Sequence, residues 1–329
     1  MKQLKTIRIF AIAVIMAHEA GAVTTNLAAL IPDEKKFQAV LEEIRDQTGP
    51  GYHINVIDVN KKMTVNAIAG QCKSLHVAGL ILMDYKAINT ALALQQYDSA
   101  FKAMPKFVFM TLLADLTARG LSNTAGITFE VPLYTLVTNF RIISQKDFSR
   151  IGIFYRSSFA RSVEESKKLL EREQIRISAV CVDCDQGKKP SIENTLRIMN
   201  DSLDKLVSDE KVEAFIIPAD NIIVNSKSLA EFWNRKIKGK RIPVIATIDL
   251  LASEKFGTAV FAADPDLMQL GAQAANLIVE HFENNMPMEK IGFEPTISIK
   301  STLNEHVAGE ISWKLKNEKL GRITTIINY

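Results

Sequence analysis

The sequence predicts an α/β protein of two Rossmann-like lobes, each built on a parallel central sheet. Two observations point there. Short, near-continuous apolar runs alternate with amphipathic helical stretches, the pattern of parallel strands buried on both faces. The alternation then restarts at Leu133 and runs a second time at similar length, which asks for two sheets rather than one. The length of 329 residues agrees, since a domain takes roughly 150.

In order, the first lobe opens with Thr25–Ile31 (TNLAALI), an apolar run stopped by Pro32. Phe37, Val40, Leu41 and Ile44 then recur at helical spacing through Gln47. Strands follow at Tyr52–Val59, Ala78–Met83, Lys106–Leu112 and Thr124–Phe129, with helices over Val65–Leu75 and Ala87–Ala103. In the second half Leu133–Ile143 is a helix. Strands at Arg150–Tyr155, Ile177–Val182, Val212–Pro218 and Ile242–Ala246 alternate with helices over Ser158–Glu173, Glu193–Ser208 and Val224–Ile237. Strand Ala259–Ala263 and helix Leu267–Asn284 come next, then strand Glu294–Lys300 and a weaker helix over Asn304–Lys316. No Pro/Gly-rich tether separates the halves, so short ordered crossings must join them.

Composition narrows the function. Apolar residues make up 47% and charged residues 23%, enough to bury a core and too apolar for disorder. A net charge of +3 gives no basic face for nucleic acid. The N-terminus combines Lys2, Lys5 and Arg8 with the apolar run Ile9–Ala17 and the small residues Ala20, Gly21 and Ala22. That is a secretory signal, with cleavage expected near Ala22 and a periplasmic, exported product. The first cysteine is Cys72, so no lipid-bearing cysteine follows the cleavage site.

Several chemistries lack their motifs. A dinucleotide site wants G-x-G-x-x-G between strand and helix, but PDEKK follows Ile31 and RSSFAR follows Tyr155. There is no P-loop and no G-x-S-x-G elbow. The five histidines show no ligand spacing. No helix-turn-helix signature opens the chain past the signal. Cys181-Val182-Asp183-Cys184 ends a strand rather than opening a helix, where a redox pair gains its low thiol pKa, and no second pair completes a zinc site. It reads as two small residues or as a local disulfide. No enzyme, cofactor or metal is expected.

Ligands of open parallel sheets sit beyond the carboxyl ends of the strands. Those ends carry Asp33, Asp84 and Thr111 in the first half, and Tyr155, Ser157, Ser158, Asp220, Asn221 and Asp249 in the second. Carboxylates can receive an ammonium group. Hydroxyls beside a helix N-terminus can receive a carboxylate, and a tyrosine face can cover a side chain. Helix capping competes as the explanation for Asp33, Ser157 and Ser158. Asp220 and Asn221 follow the strand AFIIP after the single residue Ala219, ahead of the next helix.

Thr124–Leu136, Arg150–Ser162, Ala214–Asn221, Pro243–Asp249, Asp266–Ala275 and Ile297–Ala308 fall in one order. This order resembles the ABC-transporter substrate-binding proteins of the tryptophan/tyrosine-uptake type, with the type I periplasmic-binding fold. The resemblance covers about residues 124 to 310. It implies two lobes joined by three crossings: 23–128 with 248–292, and 129–247 with 293–329, after a signal peptide at 1–22. It also implies roles for Tyr155, for Ser162 a few residues on, for Asp220 and Asn221 facing the cleft, and for Asp249. The family's His-Pro stretch after the first strand is replaced here by Ile31-Pro32-Asp33-Glu34.

The function expected is therefore an exported receptor. It captures a small polar, amino-acid-like ligand by hinge closure and delivers it to an ABC permease, as a monomer and without nucleic acid. The rival is a periplasmic sensory module that reports the same ligand to a membrane signalling protein.

Overall fold

The structure, a computed structural model, describes residues 24–61, 63–184 and 191–328. The expected signal peptide lies outside them. Thirteen strands are described: β1 (Thr25–Ile31), β2 (Tyr52–Asp58), β3 (Gly79–Met83), β4 (Lys106–Thr111), β5 (Thr124–Thr128), β6 (Arg150–Tyr155), β7 (Arg176–Cys181), β8 (Ala214–Ile217), β9 (Val244–Ala246), β10 (Phe261–Pro265), β11 (Phe293–Pro295), β12 (Ile299–Asn304) and β13 (Thr325–Ile327). They form a six-stranded sheet, β11-β5-β4-β3-β1-β2, and a seven-stranded one, β13-β12-β10-β9-β8-β6-β7.

The chain divides into two compact units. One comprises residues up to Ile127 with Gly271–Phe293, the other Thr128–Leu270 with Glu294–Tyr329. The chain passes between them three times. One expectation needs correction: residues 248–270, assigned above to the first lobe, belong to the second unit. The reason is backbone pairing, since β10 ladders in parallel with β9 and antiparallel with β12.

In the first unit β1 to β4 pair in parallel. Strand β1 is fully buried from Leu27 to Ile31, as its unbroken apolar run requires. Helix α1 (Lys35–Thr48) buries Phe37, Val40, Leu41 and Ile44 and stops at Gly49, whose φ of 69° an L side chain resists. Helix α2 (Val65–Ser74) starts where the Thr64 hydroxyl accepts the Ala67 N–H at 3.2 Å. Helix α3 (Tyr85–Tyr97) buries Ala87, Ile88, Ala91 and Leu94.

In the second unit β6, β7, β8, β9 and β10 run parallel. Gly152 is required in β6: a Cβ there would lie 2.5 Å from the Phe215 ring of β8. Its absence lets Phe215 stack on Phe154 at 5.9 Å, with Phe232 and Trp233 packed edge-on to Phe154. Each such ring contributes roughly 1.5–3 kcal/mol by burial. This cluster holds β6 and β8 side by side, which fixes the loops that leave them. Helices α4 (Leu133–Ile143), α5 (Ala160–Arg172) and α6 (Ile192–Asp204) follow the expected pattern. In the tail the single expected strand at Glu294–Lys300 is two, β11 and β12, in different sheets. The helix after it is shorter, Glu305–Glu310.

Candidate functional site

In a parallel sheet the crevice opens where two crossovers leave one strand in opposite directions. In the second unit β6 lies between β7 and β8, so that point falls between β6 and β8. Tyr155, Arg156, Ser157 and Ser158 leave β6 there, and Asp220 and Asn221 leave β8. Arg156 Nε donates to Asp220 Oδ2 at 2.5 Å. The Asp220 side chain is 0% exposed and that of Arg156 is 26% exposed. The other Asp220 oxygen accepts the N–H groups of Ile222 at 2.8 Å and Ile223 at 3.2 Å. Asp220 was expected to face a ligand. Its carboxylate is instead engaged by one guanidinium and two backbone donors. Asn221 beside it is exposed.

Cys181 and Cys184 form a disulfide at the end of β7. Asp183, inside that short loop, accepts the Ser157 N–H at 2.6 Å. The β7 end thereby holds the β6 loop in place. Among the described residues, Cys181, Asp183 and Cys184 are the one cluster with metal-like spacing, and the disulfide takes two of its three donors. Tyr155 packs half-buried against the core, and Ser157 is exposed. Ser158 Oγ is buried and has no hydrogen-bond partner among the described residues. Ser162 is half-buried in the first turn of α5.

At the ends of β9 and β10 the Asp249 N–H donates to Asp264 Oδ1 at 3.0 Å. Burial first, then the Asp249 charge and a hydrogen bond to that side chain, push Asp264 up to about 7. Across the β10–β12 ladder stands Lys300, whose ammonium goes to Asp266 Oδ1 at 3.4 Å instead.

In the first unit the switch point lies between β1 and β3. Asp33 is exposed and lines a pocket of about 180 Å³ with Gln38, Asp58 and Lys61. Asp84 and Thr111 are brought together: the Asp84 N–H donates to Thr111 Oγ1 at 3.2 Å, and that hydroxyl donates to Phe109 O at 3.1 Å. Asp84 sits at φ 90°, ψ 155°, a region that costs an L residue about 1–3 kcal/mol and that concentrates at binding sites. Asp84→Gly is therefore expected to stabilise the protein by about 1 kcal/mol, read as a raised urea midpoint. An unchanged midpoint would show that the strain is absent.

A larger pocket, about 420 Å³, lies in the second unit beside Lys238, His306 and Glu310. It adjoins Asn304, the last residue of the antiparallel β12, and so lies at the amino ends of the parallel strands. Lys238 is paired with Glu310 there.

Sequence reasoning missed Arg156, Asp183 and Asp264. Arg156 was legible as the residue between Tyr155 and Ser157 at a strand end. The other two needed the neighbouring strand.

Solved structures match along nearly the whole chain. A ligand-free, open substrate-binding protein with adhesive properties from Clostridium difficile is 16% identical, with 93% of this chain and 100% of that one covered at a TM-score of 0.63. An ABC domain from Streptococcus pneumonia in complex with L-Trp is also 16% identical, covering 92% and 100% at 0.55. The fold is the type I periplasmic-binding fold. A conserved domain protein from Vibrio cholerae shares it, at 13% identity and a TM-score of 0.54, covering 92% and 99%. No protein-family model matches the chain, and neither does any curated protein. In the type I periplasmic-binding fold as this chain builds it, both sheets carry polar side chains at their own switch points.

Proposed function

We propose that the chain is an exported solute receptor that binds a small polar, amino-acid-like ligand and delivers it to an ABC permease. The observation that carries this reading is the pair of switch points. Each sheet ends there in charged or hydroxyl side chains, in a fold shared with binding proteins over more than nine-tenths of the chain. A solute held by both lobes would stabilise their closed arrangement by its differential affinity. Export is supported by the N-terminal signal pattern and by the Cys181–Cys184 disulfide, which persists in oxidising compartments. Asp33, Asp84, Thr111, Tyr155, Ser157, Ser158, Ser162, Asn221 and Asp249 remain proposed contacts, and no bond is made or broken in the reading.

The test is mass spectrometry of the small molecule that copurifies with the protein from its native compartment. A thermal-shift panel of amino acids and other polar solutes accompanies it. A solute at one per chain that raises the melting temperature, and compacts the protein in X-ray scattering, is the expected result. An unchanged melting temperature with every solute, and no copurifying molecule, would overturn the receptor reading.

A further inference from the structure

We propose that Arg156 is the anion receptor of the ligand site: its two Nη groups take a carboxylate of the bound solute, and Asp220 is the residue that aims them. The inference rests on the receptor reading and names the ligand class for it.

Three observations converge on the guanidinium. It stands at the switch point between β6 and β8, where this fold opens its crevice. Only Nε is used by Asp220, and among the described residues neither Nη group has a hydrogen-bond partner. The edge of the plane left unpaired is thus the Nη1–Nη2 fork, whose two parallel N–H groups match the two oxygens of a carboxylate. The pair is also asymmetric, with Asp220 wholly enclosed and Arg156 about a quarter exposed.

Asp220 is held on its far side by the Ile222 and Ile223 N–H groups, so its carboxylate cannot swing away. It locks the Nε edge of the guanidinium plane and leaves the two Nη groups unpaired among the described residues. A buried ion pair is a poor source of stability, because desolvation offsets its attraction. Orienting a fork is a use that repays that cost. The pair is neutral as a whole, so a zwitterion enters without leaving a surplus charge in the lobe. The ligand class is therefore a carboxylic acid, with amino acids first among them. A neutral sugar or a simple amine would leave the fork unmatched.

The test uses the processed, full-length protein and the L-amino acids. Every acid that binds is compared by calorimetry with its carboxamide and its decarboxylated amine. Acid is expected to bind about 10- to 100-fold more tightly than either, the worth of one or two charge-assisted hydrogen bonds. Arg156→Met is expected to abolish that preference, and Arg156→Lys to restore part of it. Arg156→Met leaves Asp220 buried and unpaired, so the double variant Arg156→Met/Asp220→Asn, which removes both charges, serves as the folded control. It too should show no preference for the acid. Asp220→Asn alone keeps the shape and narrows the acid-to-amide ratio, an effect that loss of stability would not produce.

Equal affinity for acid and amide in the parent, or an acid affinity that survives Arg156→Met within twofold, would overturn the proposal. A neutral or cationic solute that binds tightly and ignores both variants would overturn it too, with the receptor reading left standing. If no solute of any class binds and none copurifies, both fall together.

Discussion

Asp220→Ala is expected to lower the unfolding free energy by about 2–4 kcal/mol. The Asp220 carboxylate is closed off from water and satisfies three donors: Arg156 Nε and the N–H groups of Ile222 and Ile223. Truncation leaves the two backbone donors without their acceptor and the guanidinium without its counter-charge. Arg156 reaches water in part, which holds the loss below that of a fully enclosed charge. The same change should weaken ligand binding by more than about tenfold, because the fork is no longer aimed. Urea unfolding of Asp220→Ala and of Arg156→Met/Asp220→Asn separates the causes. The double variant removes both charges and keeps an acceptor for the turn, so it should lose much less. Equal losses in the two would place the cost in packing rather than in the unpaired charge.

What the sequence disclosed and what it hid divide along a physical line. Strands buried on both faces must be apolar throughout, so TNLAALI and RIGIFY mark β1 and β6 to the residue. Ends of strands that carry polar residues drift. The apolar run Ala259–Ala263 predicts a strand, but β10 covers Phe261–Pro265 because its ladder continues through Asp264. That shift hid the carboxylate beside Asp249. Strand β13 was missed because Thr325–Ile327 is short and mostly exposed, with no buried face to impose a pattern. The assignment of residues 248–270 failed for another reason. Local sequence says that a segment is a strand, whereas its sheet is decided by partners, and those of β10 are not adjacent in the chain.

The candidate site follows the same rule. Strand-end positions could be read, because a parallel sheet places its ligands there. The partners could not. Asp220 meets a guanidinium 64 residues earlier in the chain, and Asp183 meets the Ser157 amide 26 residues earlier. An acid at a strand end looks free to bind a ligand until the neighbouring strand supplies its counter-charge. The Cys181–Cys184 bond was open to consideration because its loop is local.

The second large effect concerns Asp264. Its folded-state value of about 7 lies above the roughly 3.9 of an unfolded aspartate. Between these values the folded chain holds a proton that the unfolded chain has lost. Stability attributable to this group therefore falls as pH rises from about 4 to about 7. Below the window both states are protonated and the group costs nothing. Above it both are ionised and the folded state carries the whole penalty, an upper bound of about 4 kcal/mol at roughly 1.4 kcal/mol per unit. Asp264→Asn removes the ionisation and keeps an oxygen for the Asp249 N–H. The variant should match the parent near pH 4 and exceed it by about 2–4 kcal/mol at pH 8, as read from urea midpoints along the pH series. Asp249→Asn should recover the smaller part, since burial outranks the Asp249 charge among the causes. Lys300 does not neutralise the pair, because its ammonium is directed to Asp266, so a Lys300→Met control should leave the pH profile of the gap unaltered. A gap between Asp264→Asn and the parent that stays constant from pH 4 to pH 8 would mean that Asp264 ionises in the folded protein as it does in the unfolded chain. Asp264 would then stand as an ordinary solvated carboxylate rather than as a buried one raised beside Asp249.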